Sequence, residues 1–235
     1  MKNLIFFDTE TTQKINSRLI QLAYWIDIQG GPINELFFKP AEPICFEAME
    51  VHHITEAQVK DLDPVDPAKL QPLFDGRIAV AHNAPFDIGV MAREKVIIND
   101  RIDTLKVAQH LLPDSPAHRL QYLRYSLNLP VNESATAHDA GGDVRVLIEL
   151  YCYLRNKLMK ESQMSEEQAI EKMLELTAKP TIIKKFSFGK YKGQNFADVV
   201  KTSAGMDYLR WLNGQPELSE DLKNTLKFYL CSSKS

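Results

Sequence analysis

Asp8-Thr9-Glu10 stands at the end of the apolar run Leu4–Phe7, a run short enough to read as a buried strand. Side chains two apart on a strand share a face, so both carboxylates can address one point. Carboxylates held that close repel, and a bound cation is the natural compensation. Oxygen donors of this kind suit Mg2+ or Mn2+ rather than zinc. Taken alone, the pair also fits a solvated strand end. Two further acidic motifs follow. His82-Asn83-Ala84-Pro85-Phe86-Asp87 comes after a strand candidate at Ile78–Ala81. With Pro85 in a first helical turn, Asp87 sits where the helix dipole favours an acid with or without a ligand. The same rigid helix start would fix a third metal ligand. His138-Asp139-Ala140-Gly141-Gly142-Asp143 opens the longest helix candidate, with Asp143 projecting from its first turns and His138 just before it. Each glycine costs that helix about 1 kcal/mol relative to alanine. Close backbone approach to a neighbour, or a frayed helix start, would account for them. A histidine there is either a surface residue or a base, since an imidazole accepts a proton near neutral pH.

In order and spacing the three motifs resemble those of the DnaQ-like DEDD exonuclease superfamily. His138, five residues before Asp143, matches the histidine form of the third motif rather than the tyrosine form. The resemblance implies a ribonuclease H-like fold, two divalent ions and stepwise release of mononucleotides from a 3′ end. It implies Asp8 as bridging ligand and Glu10 with Asp143 completing one site. Asp87 would help hold the second ion, directly or through water, and His138 would be the general base. By the same resemblance Thr9, Thr11 and Thr12 lie near the terminal nucleotide. His52, His82 and Asn83 are candidates for the rim of that pocket, His52 being preferred to His53 for its place before Ile54-Thr55; Asn83 fits a helix cap or turn equally well. Val51-His52-His53-Ile54-Thr55-Glu56-Ala57 resembles the stretch after the third strand in these enzymes.

The tail carries the resemblance over nearly the whole chain. Phe186-Ser187-Phe188-Gly189-Lys190-Tyr191-Lys192-Gly193 and Tyr208-Leu209-Arg210-Trp211-Leu212 look like the C-terminal unit of the exodeoxyribonuclease X family. That points to DNA, single-stranded or the 3′ end of a duplex, and to repair or recombination. A proofreading polymerase subunit and an RNA-trimming exonuclease share the three motifs, because the metal chemistry ignores the 2′-hydroxyl. A binding module without catalysis is disfavoured by the complete set of four acids and His138. The sequence departs from relatives that read DTETTGL: Gln13 and Lys14 follow Thr12 here. That touches the path of the loop and its contacts to a terminal nucleotide, not the ligands.

Positioning these residues requires a sheet covered by helices. Leu4–Phe7, Leu19–Ile28 and Ile33–Phe38, the last two parted by Gly30-Gly31, predict an antiparallel meander. Thr55 is placed to cap a short helix to Leu62. Pro64, Pro67 and Pro72 punctuate the next stretch. Helices are expected from Pro85 to about Val96, Leu105 to Leu112, Leu120 to Leu127, Ala140 to Leu158 and, weakly, Ala169 to Leu176; Ile102 ends a short strand. Val144, Leu147, Ile148, Tyr151 and Leu158 recur at helical spacing, a core stripe. The fold class is α/β, a ribonuclease H-like mixed sheet flanked by helices with a small C-terminal unit. The expected divisions are 1–160 for the exonuclease domain, 161–180 for a helical linker and 181–235 for the C-terminal unit. In the last, lysines interleaved with Phe186, Phe188 and Tyr191 suggest strands with one apolar face. Those lysines form either a solvated basic face or a DNA or partner contact.

Bulk properties agree. The 235 residues are 44% hydrophobic and 25% charged, ordinary for a globular protein that needs no covalent staples. The net charge of −3 argues against a protein that only coats nucleic acid, not against an enzyme with a local basic track. Cys45, Cys152 and Cys231 form no CxxC pair and are expected to be buried reduced thiols, as in a cytoplasm. No apolar run approaches membrane-spanning length and no signal peptide precedes Leu4, so no membrane role is expected.

Overall fold

Alternation along the first strand, β1 (Leu4–Thr11), decides the layering. In the computed structural model, which describes residues 3–26, 31–131, 140–186 and 188–232, it pairs antiparallel with β2 (Leu19–Ile26), and β2 pairs antiparallel with β3 (Asn34–Phe37). The helices α1 (Phe46–His52), α2 (Glu56–Val59) and α3 (Pro67–Phe74) lead to β4 (Ile78–Ala81). Next come α4 (Ala84–Arg93), β5 (Asp100–Asp103), α5 (Thr104–Leu111), α6 (Leu120–Ser126), α7 (Ala140–Ser162) and α8 (Glu166–Ala178). The sheet order is β3-β2-β1-β4-β5, with β4 parallel to both β1 and β5. This is the expected mixed sheet with helices on both faces.

Leu4 and Phe6 face one core, shared with Val144, Leu147 and Tyr151 of α7 and with Ala169, Ile170, Met173 and Leu176 of α8. Ile5 and Phe7 face the other, shared with Leu70 and Phe74 of α3 and Val90 and Met91 of α4. Edge-on aromatic contacts lock both sides: Phe6 with Tyr151 at 5.0 Å and Phe7 with Phe74 at 5.2 Å between ring centroids. The chain divides into two compact units, Met1–Thr177 and Ala178–Ser235. The stretch read as a linker, 161–180, therefore contains a helix whose apolar face belongs to the first core.

Two helices of the first unit escape the sequence reading. Cys45 gives α1 no side-chain cap, and its Phe46 and Val51 are exposed, so neither a start signal nor an apolar stripe marks it. Of the prolines taken as punctuation, Pro67 begins α3 and Pro72 lies inside it. Asp66 caps it by accepting the Ala68 N–H at 3.0 Å, and Pro67 occupies the first turn, where no N–H is needed.

The second unit corrects a further expectation. Among its described residues there are no strands, only an isolated bridge between Lys185 and Asn195. Its helices are α9 (Phe196–Val199), α10 (Ser203–Asn213) and α11 (Glu220–Ser232). Gly189 (φ +68°) and Gly193 (φ +86°) turn the chain twice within the basic-aromatic stretch, so the alternation spans a loop instead of a strand. Phe186, Phe196, Val199, Leu209, Leu212, Leu222 and Leu226 form this unit's own core, with Phe186 and Phe196 stacked at 3.7 Å. The cysteines also differ from expectation: Cys45 and Cys152 are half-buried and Cys231 is exposed, none of the three in a disulfide.

Candidate active site

Register puts the acids of β1 beneath the start of α7. Asp8 and Glu10 continue the alternation of Leu4 and Phe6, hence the α7 side of the sheet. Asp8 lies opposite Ala23, and Ala23 opposite Glu35 of β3. Gly141 meets the Glu35 side chain so closely that a Cβ there would overlap its carboxylate. That is the close approach the glycine allows, and it brings the first turn of α7, with Asp143, over this face. Asp143 accepts a hydrogen bond from the Gln121 side-chain amide of α6, and Gln121 Oε1 in turn accepts from Arg124 at 3.4 Å. A register shift between Glu10 and Thr11 ends the regular ladder just past the acids.

Asp87 approaches β1 from the α4 side. Its Oδ1 accepts from the Thr9 amide at 3.1 Å and the Thr9 hydroxyl at 2.7 Å. Asp87 is 3% exposed. Burial pushes it up to about 7, helped by the charge of Asp103 and opposed by the Thr9 hydrogen bonds. Asp103, which the sequence reading passed over, holds the entry to α4. It accepts from the Asn83 N–H at 2.9 Å while capping α5 through the Leu105 N–H at 3.0 Å. Asn83 itself is left-handed (φ +73°) and makes no side-chain cap. An aspartate directly before a helix was the available signal for Asp103. Nothing local marks Gln121 or Arg124.

The other expected contact residues form a brace around the strand end. The Ile54 N–H donates to His52 Nδ1 at 3.0 Å, so the proton sits on Nε2, which donates to the Thr11 carbonyl at 3.2 Å. The Thr11 hydroxyl donates to the Gln13 carbonyl at 3.1 Å, and the Thr12 hydroxyl accepts from the Arg18 N–H at 3.0 Å. Arg18 is paired with Glu94 at 2.7 Å, and Arg93 holds Ser17, so the loop after Thr12 is tied to the end of α4. His82 Nε2 donates to the His118 carbonyl at 2.8 Å, and Nδ1 accepts from Thr104 at 2.9 Å. Burial lowers its pKa to about 4, which keeps this ring neutral. His138 and Asp139 lie outside the described residues.

Among the described residues no three His, Cys, Asp or Glu side chains converge on one ion-sized point. The donor chemistry nonetheless fits a hard cation. All four acids offer oxygen alone, the preference of Mg2+ and Mn2+. A carboxylate as buried as Asp87 is also one that a positive neighbour would keep ionised. No described helix is long and apolar enough to cross a membrane.

The exonuclease (RNase T) family model matches residues 5–151, the span from β1 into α7. Exodeoxyribonuclease 10 of Escherichia coli K12 is 30% identical over 231 residues, 97% of this chain and 98% of that protein. The PolC-type DNA polymerase III of Listeria monocytogenes is 32% identical over 170 residues, 67% of this chain but 11% of the polymerase. Among solved structures, exonuclease X in complex with 5′ overhanging duplex DNA superposes with a TM-score of 0.58 at 26% identity, covering 74% of this chain and 99% of that one. The zinc-bound complex of E. coli exonuclease I with single-stranded DNA shares the fold at a TM-score of 0.57 and 21% identity, covering 73% of this chain and 43% of that one. Enzymes of this kind use divalent metals. With one profile spanning the acid-bearing elements and one relative aligned from end to end, this chain belongs to the exonuclease family and is a phosphodiester hydrolase.

Proposed function

We propose that the chain is a 3′→5′ exodeoxyribonuclease dependent on Mg2+ or Mn2+, two ions per site, releasing mononucleotides from single-stranded DNA or the 3′ end of a duplex. The observation that carries this reading is the end-to-end relation to exodeoxyribonuclease 10, taken with Asp8 and Glu10 under the start of α7. A proofreading subunit is less well supported, because each PolC-type relative matches over only 11–13% of its own length, whereas exodeoxyribonuclease 10 aligns over 98% of its length. A role in repair or recombination in the cytoplasm is part of the same reading, in keeping with three cysteines outside any disulfide.

In this mechanism Asp8, Glu10, Asp87 and Asp143 would hold the ions. Divalent cations bound there would supply charge stabilisation to the attacking and leaving oxygens. The protein's own groups do the rest. His138 takes the proton of the attacking water, a task for which an imidazole suits neutral pH. Thr9 holds Asp87, and Gln121 holds Asp143, so each carboxylate keeps one orientation. Thr11 lies nearest the terminal nucleotide while His52 braces its carbonyl; Thr12 supports it from beneath, its N–H donating to the Arg18 carbonyl and its carbonyl accepting from the Cys45 N–H; Thr9, His82 and Asn83 complete that rim.

The test is digestion of DNA labelled at either end, single-stranded and duplex, beside RNA, with Mg2+, Mn2+ or chelator. Mononucleotide release from the 3′ end with metal only, absent in Asp8→Ala, is the expected result. Activity that survives chelator, or persists in Asp8→Ala, would remove the metal site. Equal degradation of RNA would overturn the assignment to DNA.

A further inference from the structure

Charge is segregated along the chain. From Ala178 on there are ten lysines and arginines against five acids, and before it eighteen against twenty-six. The C-terminal unit is thus basic on a chain whose total is −3, and two sets among its cations differ. Lys201, Arg210 and Lys223, at 2.7–2.8 Å, are each neutralised by an acid one helical turn away, Asp198, Asp207 and Glu220. Lys190 and Lys192, on the loop between Phe186 and Asn195, appear in no ion pair among the described residues.

That loop is held against aromatic rings. Phe186 donates its N–H to the Gln194 carbonyl at 2.9 Å and accepts from the Gly193 N–H at 2.7 Å. Gly189 rests on the Tyr208 hydroxyl so closely that no side chain fits between them. Tyr191 packs edge-on against Tyr208 at 5.1 Å, and Tyr208 lies 5.4 Å from Trp211. The Lys190 ammonium stands 5.3 Å over the Tyr191 ring. The run of rings starts at Phe186 in the core and ends at Trp211, which is 57% exposed; Phe188 on the loop is 40% exposed. Exposed rings beside cations with no acid partner suit a ligand that both stacks and carries phosphate.

We propose that this face binds a single strand of DNA, bases stacking on Trp211 and Phe188 and phosphates meeting Lys190 and Lys192. Stacking platforms flanked by cations hold single strands without reading their sequence, as an exonuclease that must accept any sequence requires. The first unit's excess of acids leaves this unit as the source of attraction for a polyanion. The inference rests on DNA being the substrate and adds a second point of engagement on the C-terminal unit.

The experiment uses the full chain in chelator, so that nothing is cleaved, with a fluorescent oligo-dT of twenty nucleotides and a duplex of equal length. Trp211→Ala is expected to weaken oligo-dT binding about tenfold. K190A/K192A is expected to flatten the slope of log affinity against log salt by about 1.4. Turnover of a trinucleotide with Mg2+ should be unchanged in both. The side chains of Trp211, Lys190 and Lys192 are exposed, and an unshifted melting curve reports that the fold survives; Phe188→Ala serves as a second ring variant. Wild-type affinity and slope in all three variants would overturn the proposal. Equal losses on duplex would overturn the single-strand assignment. A wild-type chain that binds as described yet shortens no DNA would sink the proposed activity and leave this face standing, whereas normal digestion with unaffected binding in the variants would do the reverse.

Discussion

Replacing Asp87 by asparagine should make the metal-free protein more stable, and only above acid pH. Burial lifts this carboxyl from an ordinary 3.8 to about 7. Below about pH 4 the group is protonated in both the folded and the unfolded chain, and the substitution changes little. As pH rises from about 4 to about 7 the unfolded chain ionises freely while the folded one resists, so the wild type loses stability across that window. The full gap corresponds to about 4 kcal/mol. Asparagine keeps an oxygen for the Thr9 amide and hydroxyl, which stand 3.1 and 2.7 Å from Oδ1, and carries no charge to desolvate. The assay is urea denaturation in chelator from pH 4 to pH 8, read as the difference between variant and wild type. Saturating Mn2+ should then shrink the difference, because an ion that binds only the folded wild type stabilises it by mass action. The same difference at pH 4 and pH 8, or a variant less stable than wild type at pH 8, would refute the reasoning.

His82→Gln tests the opposite slope. The wild-type ring, lowered to about 4 from 6.5, contributes stability that is complete above about pH 6.5 and lost as pH falls toward 4, and the variant should lack that acid-side loss of about 3 kcal/mol. Since Asp87 and His82 titrate over one window with opposite signs, the wild-type curve alone is shallow and difference curves are needed. His138→Ala should retain metal and DNA binding while single-turnover hydrolysis falls by about two to four orders of magnitude. Gln121→Ala should raise the Mn2+ concentration needed for half-maximal activity by about 10- to 100-fold, because Asp143 loses its tether. Gly189→Ala should cost the C-terminal unit about 1–2 kcal/mol for φ of +68° alone, with further loss from contact with the Tyr208 hydroxyl, read by thermal melting.

Periodicity made β4 legible to the residue and the starts of α6 and α7 likewise, because apolar spacing is a local property. It failed at α1, of whose apolar side chains Phe46 and Val51 face outward while only Ala48 and Met49 pack inward, and in the C-terminal unit, where two left-handed glycines break an apparent alternation. The α3 prolines misled for another reason: the same residue ends one helix and begins the next, and only the Asp66 cap says which.

The four acids were named from the resemblance of three motifs, in type, order and spacing, to those of the DEDD exonucleases, since each motif alone also fits a solvated strand end or a helix start. Their partners were not nameable. Thr9 and Asp87 are 78 residues apart and Gln121 and Asp143 are 22 apart; no local pattern links them, and only the packing of α4 and α6 against their neighbours makes the bonds. The same holds for the threonines and histidines of the strand end. From sequence they are polar groups near a ligand site. Packing adds that Thr9, Thr12, His52 and His82 spend their hydrogen bonds on the scaffold, because buried polar atoms must be satisfied wherever the fold encloses them. Sequence determined which chemistry the chain carries; tertiary structure decided which residues hold that chemistry in place.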